Sequence, residues 1–543
     1  MPSKGISVYS YISAEGYEVE FNVPKNSVRN TAADNFTSKD LEVESSNIEG
    51  LGHYTGRFEW KAFDPEGNNV GSKYNDINSL TGKLEAGSMT STVGDLFCKP
   101  AYSRVLAKEK QAEFAPIVTE AVIITFGFYD AGHGEAGLPN RDQCYVTICS
   151  TSNKAWMGAV APQGSPQAQH PFSRFVLAAP HDNGMNSMQQ ADAVLSSVDS
   201  DMIGELRKMI PGLHHFPHIP DEALVHMLPN IVYGVSITQK KQIPVMLALG
   251  ARYFEFRPAK LLPAFQKVSK LPDKFYFQHA CIPGLAFEDF LNAQVEFLDS
   301  NPTEIVTIHI RYDNIVKECK KPTEEEIHEA LNSACASAQN GKLTWGHREC
   351  FSKPIDTLRS TGQRLIVVIM AEKYDSWTAS AYATLKVDPI LARFESMNTA
   401  GQEATDITVL QCQATSQSIK EVLVYSVLSA NAATSCLTST KGALDMQTLP
   451  WIRANALDRL QAEKTIVIMN DFIDGATTDT SIELSRRRLG MDSLSDSNSV
   501  PGQGAMGQDR EGQEALVQPF QEASIEDKEK PIEDSAPMPG RFD

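Results

Sequence analysis

The chain has 543 residues, 42% of them hydrophobic, and carries a formal net charge of -19 with a pI near 5.2. That length can bury more than one core, with about three structural units as a prior. The acidic balance argues against a nucleic-acid partner, which needs a basic face, and supplies no bulk attraction to an anionic membrane.

Taken from the start, Met1 to Ser7 lacks the charged-then-apolar pattern of a secretory signal. No apolar run approaches the roughly eighteen residues that span a bilayer. Nine cysteines, at 98, 144, 149, 281, 319, 335, 350, 412 and 436, form an odd and scattered set. Such a set reads as free thiols in a reducing compartment, so a cytoplasmic chain without a transmembrane segment is expected, with secretion as the alternative.

Residues 1–150 read as a β-rich accessory domain. Tyr17 to Val23 and Gly56 to Phe63 alternate apolar and polar residues and stop at turn formers, Pro24 and Asp64-Pro65-Glu66-Gly67. Further runs follow at Ala121 to Tyr129 and Cys144 to Cys149. Short strands at turn-punctuated intervals suggest a sandwich, with an accessory or dimerising role. Residues 151–171 contain Pro162, Gly164, Pro166 and Pro171 and read as a linker.

From Phe172 onward, strands and helices alternate. Strands are expected at Phe172 to Pro180, Ala251 to Phe256, Phe275 to Phe277, Glu304 to Ile310, Arg364 to Met370, Thr408 to Cys412 and Thr465 to Met469. Helices are expected near Asn186 to Val198, Phe287 to Asp299 and Thr323 to Ser337. The count approaches a TIM-type (β/α)8 barrel over 172–490, with one or two elements unassigned. Residues 491–543 are rich in Ser, Gln, Gly, Pro and acids and cannot bury enough apolar surface to fold, so a disordered acidic tail is expected.

Chemistry-bearing residues stand where the expected strands end: His181-Asp182 after Pro180, Arg257 after Phe256, His279 after Phe277. Strand ends are where catalytic groups sit in parallel α/β folds. Two imidazoles can act as base and acid in one turnover, and an arginine fork suits a phosphate. Together they suggest phosphoryl transfer without a covalent protein intermediate.

These blocks carry a resemblance. The order His181-Asp182, then Gly250 to Arg257, then His279, then Phe287-Glu288-Asp289-Phe290-Leu291 and Asn301 to Thr307, resembles the X-domain of phosphatidylinositol-specific phospholipase C. It is closest in style to the bacterial enzymes and the fungal phospholipase C-like phosphodiesterases, and covers roughly residues 170–490. The resemblance implies a phosphoric diester hydrolase with His181 as base and His279 as acid, passing through a cyclic phosphate. Asp471, ending the last apolar strand, would pair with His181, and Asp182 would assist His279. Calcium-dependent members carry acidic ligands where this chain has Arg257 and Arg311. Because calcium needs six to eight oxygen ligands, a metal-independent site without cofactor is implied, with Arg257 on the phosphate, Arg311 on substrate or phosphate, and Glu255 paired with one of the arginines.

Other readings stand beside these. Arg311 could be the ion-pair partner of Asp313, and Asp471 could cap a loop. A metal-dependent glycerophosphodiesterase or sphingomyelinase D-like enzyme is an alternative that both arginines oppose; a non-catalytic lipid- or protein-binding module is another. Substrate could be phosphatidylinositol, another phospholipid or a soluble phosphodiester, with transient membrane-surface contact. Lys373, Tyr374, Asp375 and Trp377, in the run from Ile369, could line a polyol pocket. His214-His215-Phe216-Pro217-His218 reads as a surface loop, Gly132 to Gly137 is not a phosphate loop, Arg486-Arg487-Arg488 sits on a solvated helix end, and Asn35-Phe36-Thr37 only formally fits a glycosylation acceptor.

Overall fold

The computed structural model describes residues 5–32, 35–43, 56–77, 84–88, 115–129, 131, 139–209, 220–371, 373–382, 385–397, 407–414, 437–460 and 464–491. Residues 132–137, 214–218 and 492–543, on which three expectations rest, lie outside them.

The N-terminal region forms two five-stranded sheets. One has the order β3 (Asn26–Thr31), β2 (Glu18–Val23), β5 (Gly56–Phe63), β6 (Asn69–Ile77), β7 (Leu84–Gly87), all antiparallel. The other runs β4 (Phe36–Glu42), β1 (Gly5–Ile12), β10 (Asp142–Ser150), β9 (Val122–Tyr129), β8 (Ile117–Val118), with β1 and β10 parallel. Alternation in β2 and β5 turns Val19, Phe21, Phe58 and Trp60 onto Val8, Ile124, Phe126 and Val146 of the second sheet, all in one apolar cluster. Trp60 and Phe126 meet across it at 5.2 Å between ring centroids. Strand β9 is buried at every position because its far face is covered as well, which is why it reads as an apolar run broken only by Thr125, whose hydroxyl meets that of Thr147 at 2.6 Å.

From residue 176 the chain builds parallel sheets. One has the order β11 (Val176–Pro180), β21 (Thr465–Asn470), β20 (Ile407–Gln411), β19 (Lys373–Asp375); the other β12 (Tyr253–Phe256), β16 (Val306–Ile310), β18 (Gln363–Ile369), β17 (Thr344–Gly346). The Arg252 amide donates to the Ala178 carbonyl at 3.1 Å and joins their β11 and β12 edges. Leu177, Ala179, Tyr253, Ile366, Val368, Val409, Val467 and Met469 share one interior cluster, so both sheets face a common inside. Among the described residues no ladder joins β17 or β18 to β19, so the strands do not close into the expected eight-stranded barrel. One expected barrel strand is spent elsewhere: β14 (Tyr276–His279) lies between β13 (Pro258–Ala259) and β15 (Ile282–Ala286) in an antiparallel ribbon. An apolar triplet such as Phe275 to Phe277 serves either pairing equally well.

Residues 151–171, read as a linker, fold instead beneath the N-terminal ends of these strands, with Trp156, Met157, Val160, Ala161 and Ala168 joining the interior cluster. A fully buried ion pair fixes them there. Arg252 donates to Glu304 from Nε at 3.0 Å and Nη2 at 2.7 Å, and to the carbonyls of Leu247, Ala251 and Lys154. The Met157 and Gly158 amides donate to Glu304 in turn. Removing one partner of such a pair strands a buried charge, which costs about 3–5 kcal/mol. Arg252→Met should therefore lower the unfolding free energy by about that amount in urea titrations, while the titration of His181 at the opposite strand ends is unchanged; a loss below about 1 kcal/mol would contradict this role.

Candidate active site

Strand parity builds the site. Leu177 and Ala179 face the interior, and His181 continues their phase; Tyr253 is followed in phase by Glu255 and Arg257; Val467 and Met469 by Asp471; His309 by Arg311. Four strands thus end in polar groups aimed at one space, and the ribbon brings His279 to its edge. Asp182, Ala280 and Phe472, each one residue beyond His181, His279 and Asp471, have φ of 42°, 56° and 47°. Left-handed backbone at non-glycine positions costs about 1–3 kcal/mol each and is characteristic of functional turns.

His181 Nδ1 lies 2.8 Å from Asp471 Oδ1, and its Nε2 lies 3.7 Å from Asp182 Oδ1. His279 Nε2 lies 3.8 Å from the other oxygen, Asp182 Oδ2, while its Nδ1 is 3.4 Å from Ser236 Oγ. The two side chains are 24% and 26% exposed, so both rings reach solvent. Arg257 Nη2 is 2.8 Å from Asp182 Oδ1, and its buried Nε has no hydrogen-bond acceptor. Glu255 accepts from the Asp182 amide at 3.3 Å and is paired with Arg311, which grips Asp313 at 2.8 and 2.6 Å. Arg311 is thus an ion-pair partner, to Glu255 and Asp313 together.

The charges separate the two histidines. Burial pushes His181 down, but Asp182, Asp471 and Glu255 outweigh it and raise the imidazole to about 9. Burial pushes His279 down to about 4; Asp182 opposes this, whereas Arg257 and His181 add to it. Glu255, though buried, is held well below the usual carboxylate range by Arg311 and Arg257. Burial raises Asp471, and His181 counters it. In the free protein at neutral pH the proton is on His181, not on His279. Two imidazoles equally poised near neutrality, as composition alone suggests, are not what these surroundings produce.

His181, Asp182 and Glu255 place ligand atoms within 4.8 Å of one another, the one such cluster among the described residues. Two guanidinium groups already occupy its carboxylates. A cation there would sit beside two fixed positive charges, which is a poor fit for calcium.

All seven site residues expected from the sequence meet here: His181, Asp182, Glu255, Arg257, His279, Arg311 and Asp471. Others carried no signal. Gln239 donates from Nε2 to the carbonyls of His181 and Asn470, both at 3.0 Å, and accepts from the Ile473 amide at 3.0 Å, so it buttons two strand-end turns together. Thr238 donates to the His181 carbonyl at 3.0 Å. His309, pushed down to about 3 by burial, lies 2.6 Å from the Tyr253 hydroxyl behind Glu255. Of the polyol candidates, Lys373 pairs with Asp375, which also accepts from Gln411 Nε2 at 2.6 Å; Trp377 is 41% exposed.

With this geometry in place, the chain can be set beside known proteins. No family model matches it, and no curated protein does. Among solved structures it is similar to phosphatidylinositol-specific phospholipase C from Listeria monocytogenes, at 12% identity over 61% of this chain and 98% of that one, with a TM-score of 0.33. It is also similar to a pentafluoro-Phe variant of the Staphylococcus aureus enzyme of that name, at 12% identity over 61% and 98% of the two chains and a TM-score of 0.36. No helix among the described residues is long and apolar enough to cross a membrane.

The raised His181 has a consequence for stability. Its folded pKa of about 9 exceeds the ordinary 6.5, so its contribution is complete below pH 6.5 and lost as pH climbs through 9. Between those pH values the Tm of the wild type should fall more steeply than that of His181→Gln; parallel profiles would remove the charge from His181.

Proposed function

We propose that this chain is a phosphoric diester hydrolase of the phospholipase C type, cleaving a phosphodiester that has a neighbouring hydroxyl. One observation carries the reading. Nε2 of His181 and Nε2 of His279 approach the two oxygens of the same carboxylate, Asp182, at 3.7 and 3.8 Å, and Arg257 sits on that carboxylate too. Two imidazoles therefore face one space from opposite sides, with a guanidinium between them to receive a phosphate.

In this reaction His181 Nε2 takes the proton of the neighbouring hydroxyl, and its oxygen attacks phosphorus. The bond to the leaving alcohol breaks and that oxygen takes a proton from His279, giving a cyclic phosphodiester. Water then opens the ring with the roles exchanged. Asp471 on Nδ1 keeps Nε2 turned to substrate and stabilises the imidazolium that forms, as in a serine-protease triad. Ser236 orients His279. The working state needs His181 neutral and the proton on His279, the reverse of the free protein at neutral pH, so the reaction draws on the small fraction of chains in that state; a phosphodiester anion on Arg257 helps only at His279, where it offsets one of the positive charges that add to the effect of burial.

The engagement of Asp182 and Glu255 by arginines supports a mechanism without metal. Lys373, Asp375, Gln411 and Gln413, linked in one hydrogen-bonded set, suit the hydroxyls of a polyol head group such as inositol. The common interior of the two parallel sheets supports an incompletely closed TIM-type barrel over 172–490, and the shared core of the N-terminal sheets supports a β-sandwich over 1–150.

His279→Ala should lower turnover of phosphatidylinositol at least about a hundredfold with an unchanged melting temperature, since general acid catalysis contributes that much. EDTA should leave the wild-type rate unaltered. A variant turning over at the wild-type rate would refute the acid role, and loss of activity in EDTA would refute the metal-free mechanism.

A further inference from the structure

The turn that delivers Asp471 rests on a second buried charge cluster. Asn470, the preceding residue, points away from the barrel interior and donates to Asp445 Oδ1 at 2.9 Å and Thr477 Oγ1 at 3.0 Å. Asp445 is paired with Lys441, one turn earlier on the helix Thr438–Arg459, and Lys441 Nζ reaches Asp474 Oδ2 at 3.1 Å. Asp474 caps the helix Gly475–Arg488, accepting from the Thr477 amide at 3.2 Å. Asn470 and Asp474 therefore clamp residues 471–473 from both sides, and all four of Asn470, Asp474, Lys441 and Asp445 are buried.

Half of the cluster's enclosure comes from the N-terminal region. Strands β1 and β10 run parallel with Tyr9 opposite Tyr145. The Tyr145 ring lies 6.0 Å from Lys441 Nζ, and the Tyr9 ring packs on Gly442 so closely that a Cβ there would collide with it. The cavity left between the two regions is about 10 Å³, room for one water at most. Keeping water out strengthens the Coulomb attraction between these charges, and once they are buried each depends on its partner.

We propose that the N-terminal β region is a positioning element of the active site: by sealing Lys441, Asp445 and Asp474 from water it holds the Asp471 turn in hydrogen-bonding position on His181. Opening the seal hydrates the cluster, loosens the grip of Asn470 and Asp474, and lets the left-handed turn at Phe472 relax. Asp471 then leaves His181 Nδ1. The groups facing His181 are Asp182, Asp471, Glu255 and His279, and Lys441 acts on Asp471. The kinetic consequence rests on the function proposed above; the effect on His181 can be read without substrate.

The test is an NMR titration of the His181 ring in the full chain, with turnover measured alongside, for Tyr145→Ala, Tyr145→Phe and Asn470→Ala. Both alanine variants should lower the His181 apparent pKa by about 0.5 or more and reduce kcat about tenfold at constant KM, whereas Tyr145→Phe, which keeps the ring, should match the wild type. If Tyr145→Ala does not fold, Tyr9→Ala opens the same seal from the neighbouring strand and should lower the pKa likewise. An alanine variant of Tyr145 or Tyr9 that loses thermal stability while His181 titrates as in the wild type would overturn the proposal. A lowered pKa in a protein with no phosphodiesterase activity would uphold the positioning and reject the assigned reaction.

Discussion

Seven ionised groups in alternating sign cross the mouth of the parallel sheets: Asp313, Arg311, Glu255, Arg257, Asp182, His181 and Asp471. None could be buried singly, because an isolated charge in a protein interior costs several kcal/mol. Each is acceptable because every neighbour it has in the row carries the opposite sign. His279 stands outside the row and shares Asp182 with Arg257, so burial prevails there and it stays neutral. The acid/base asymmetry of the site follows from membership in one chain of charges.

The row exists because four strands share one phase. A single-residue register slip in β12 would turn Glu255 and Arg257 outward and bring Phe254 and Phe256 inward, so the apolar cluster that fixes the register also fixes the chemistry. The Arg252–Glu304 pair anchors the same strand from its other end. The opposite ends of β12 carry the same pair of residue types, arginine and glutamate, with different duties. At the floor every Arg252 nitrogen finds an acceptor; at the mouth the buried Arg257 Nε has none within hydrogen-bond distance, Asp313 Oδ2 lying 4.0 Å away.

Much of this was legible in the sequence. An apolar run that stops at His181, Arg257 or Asp471 marks a buried strand reaching solvent, and period-two alternation located β2 and β5 almost to the residue. What was not legible depends on contacts distant along the chain. Gln239 is an ordinary glutamine until Asn470, 231 residues later, is folded against it. Phe275 to Phe277 has the same composition whether it enters a barrel or a ribbon. The proline-rich stretch at 151–171 looks solvated until Arg252 and Glu304 claim its backbone. The parallel pairing of β1 with β10, which joins the first strand of the region to its last, leaves no local trace, and with it the sealing of the Lys441 cluster was hidden.

The most direct test is phosphorus NMR of the purified protein with phosphatidylinositol micelles in EDTA, run beside His181→Ala. The expected result is a cyclic inositol phosphate resonance that appears in EDTA at the rate seen without it and is absent from the variant. A resonance that requires a divalent cation, or one that survives the loss of His181, would contradict a metal-free reaction run by two histidines across Asp182.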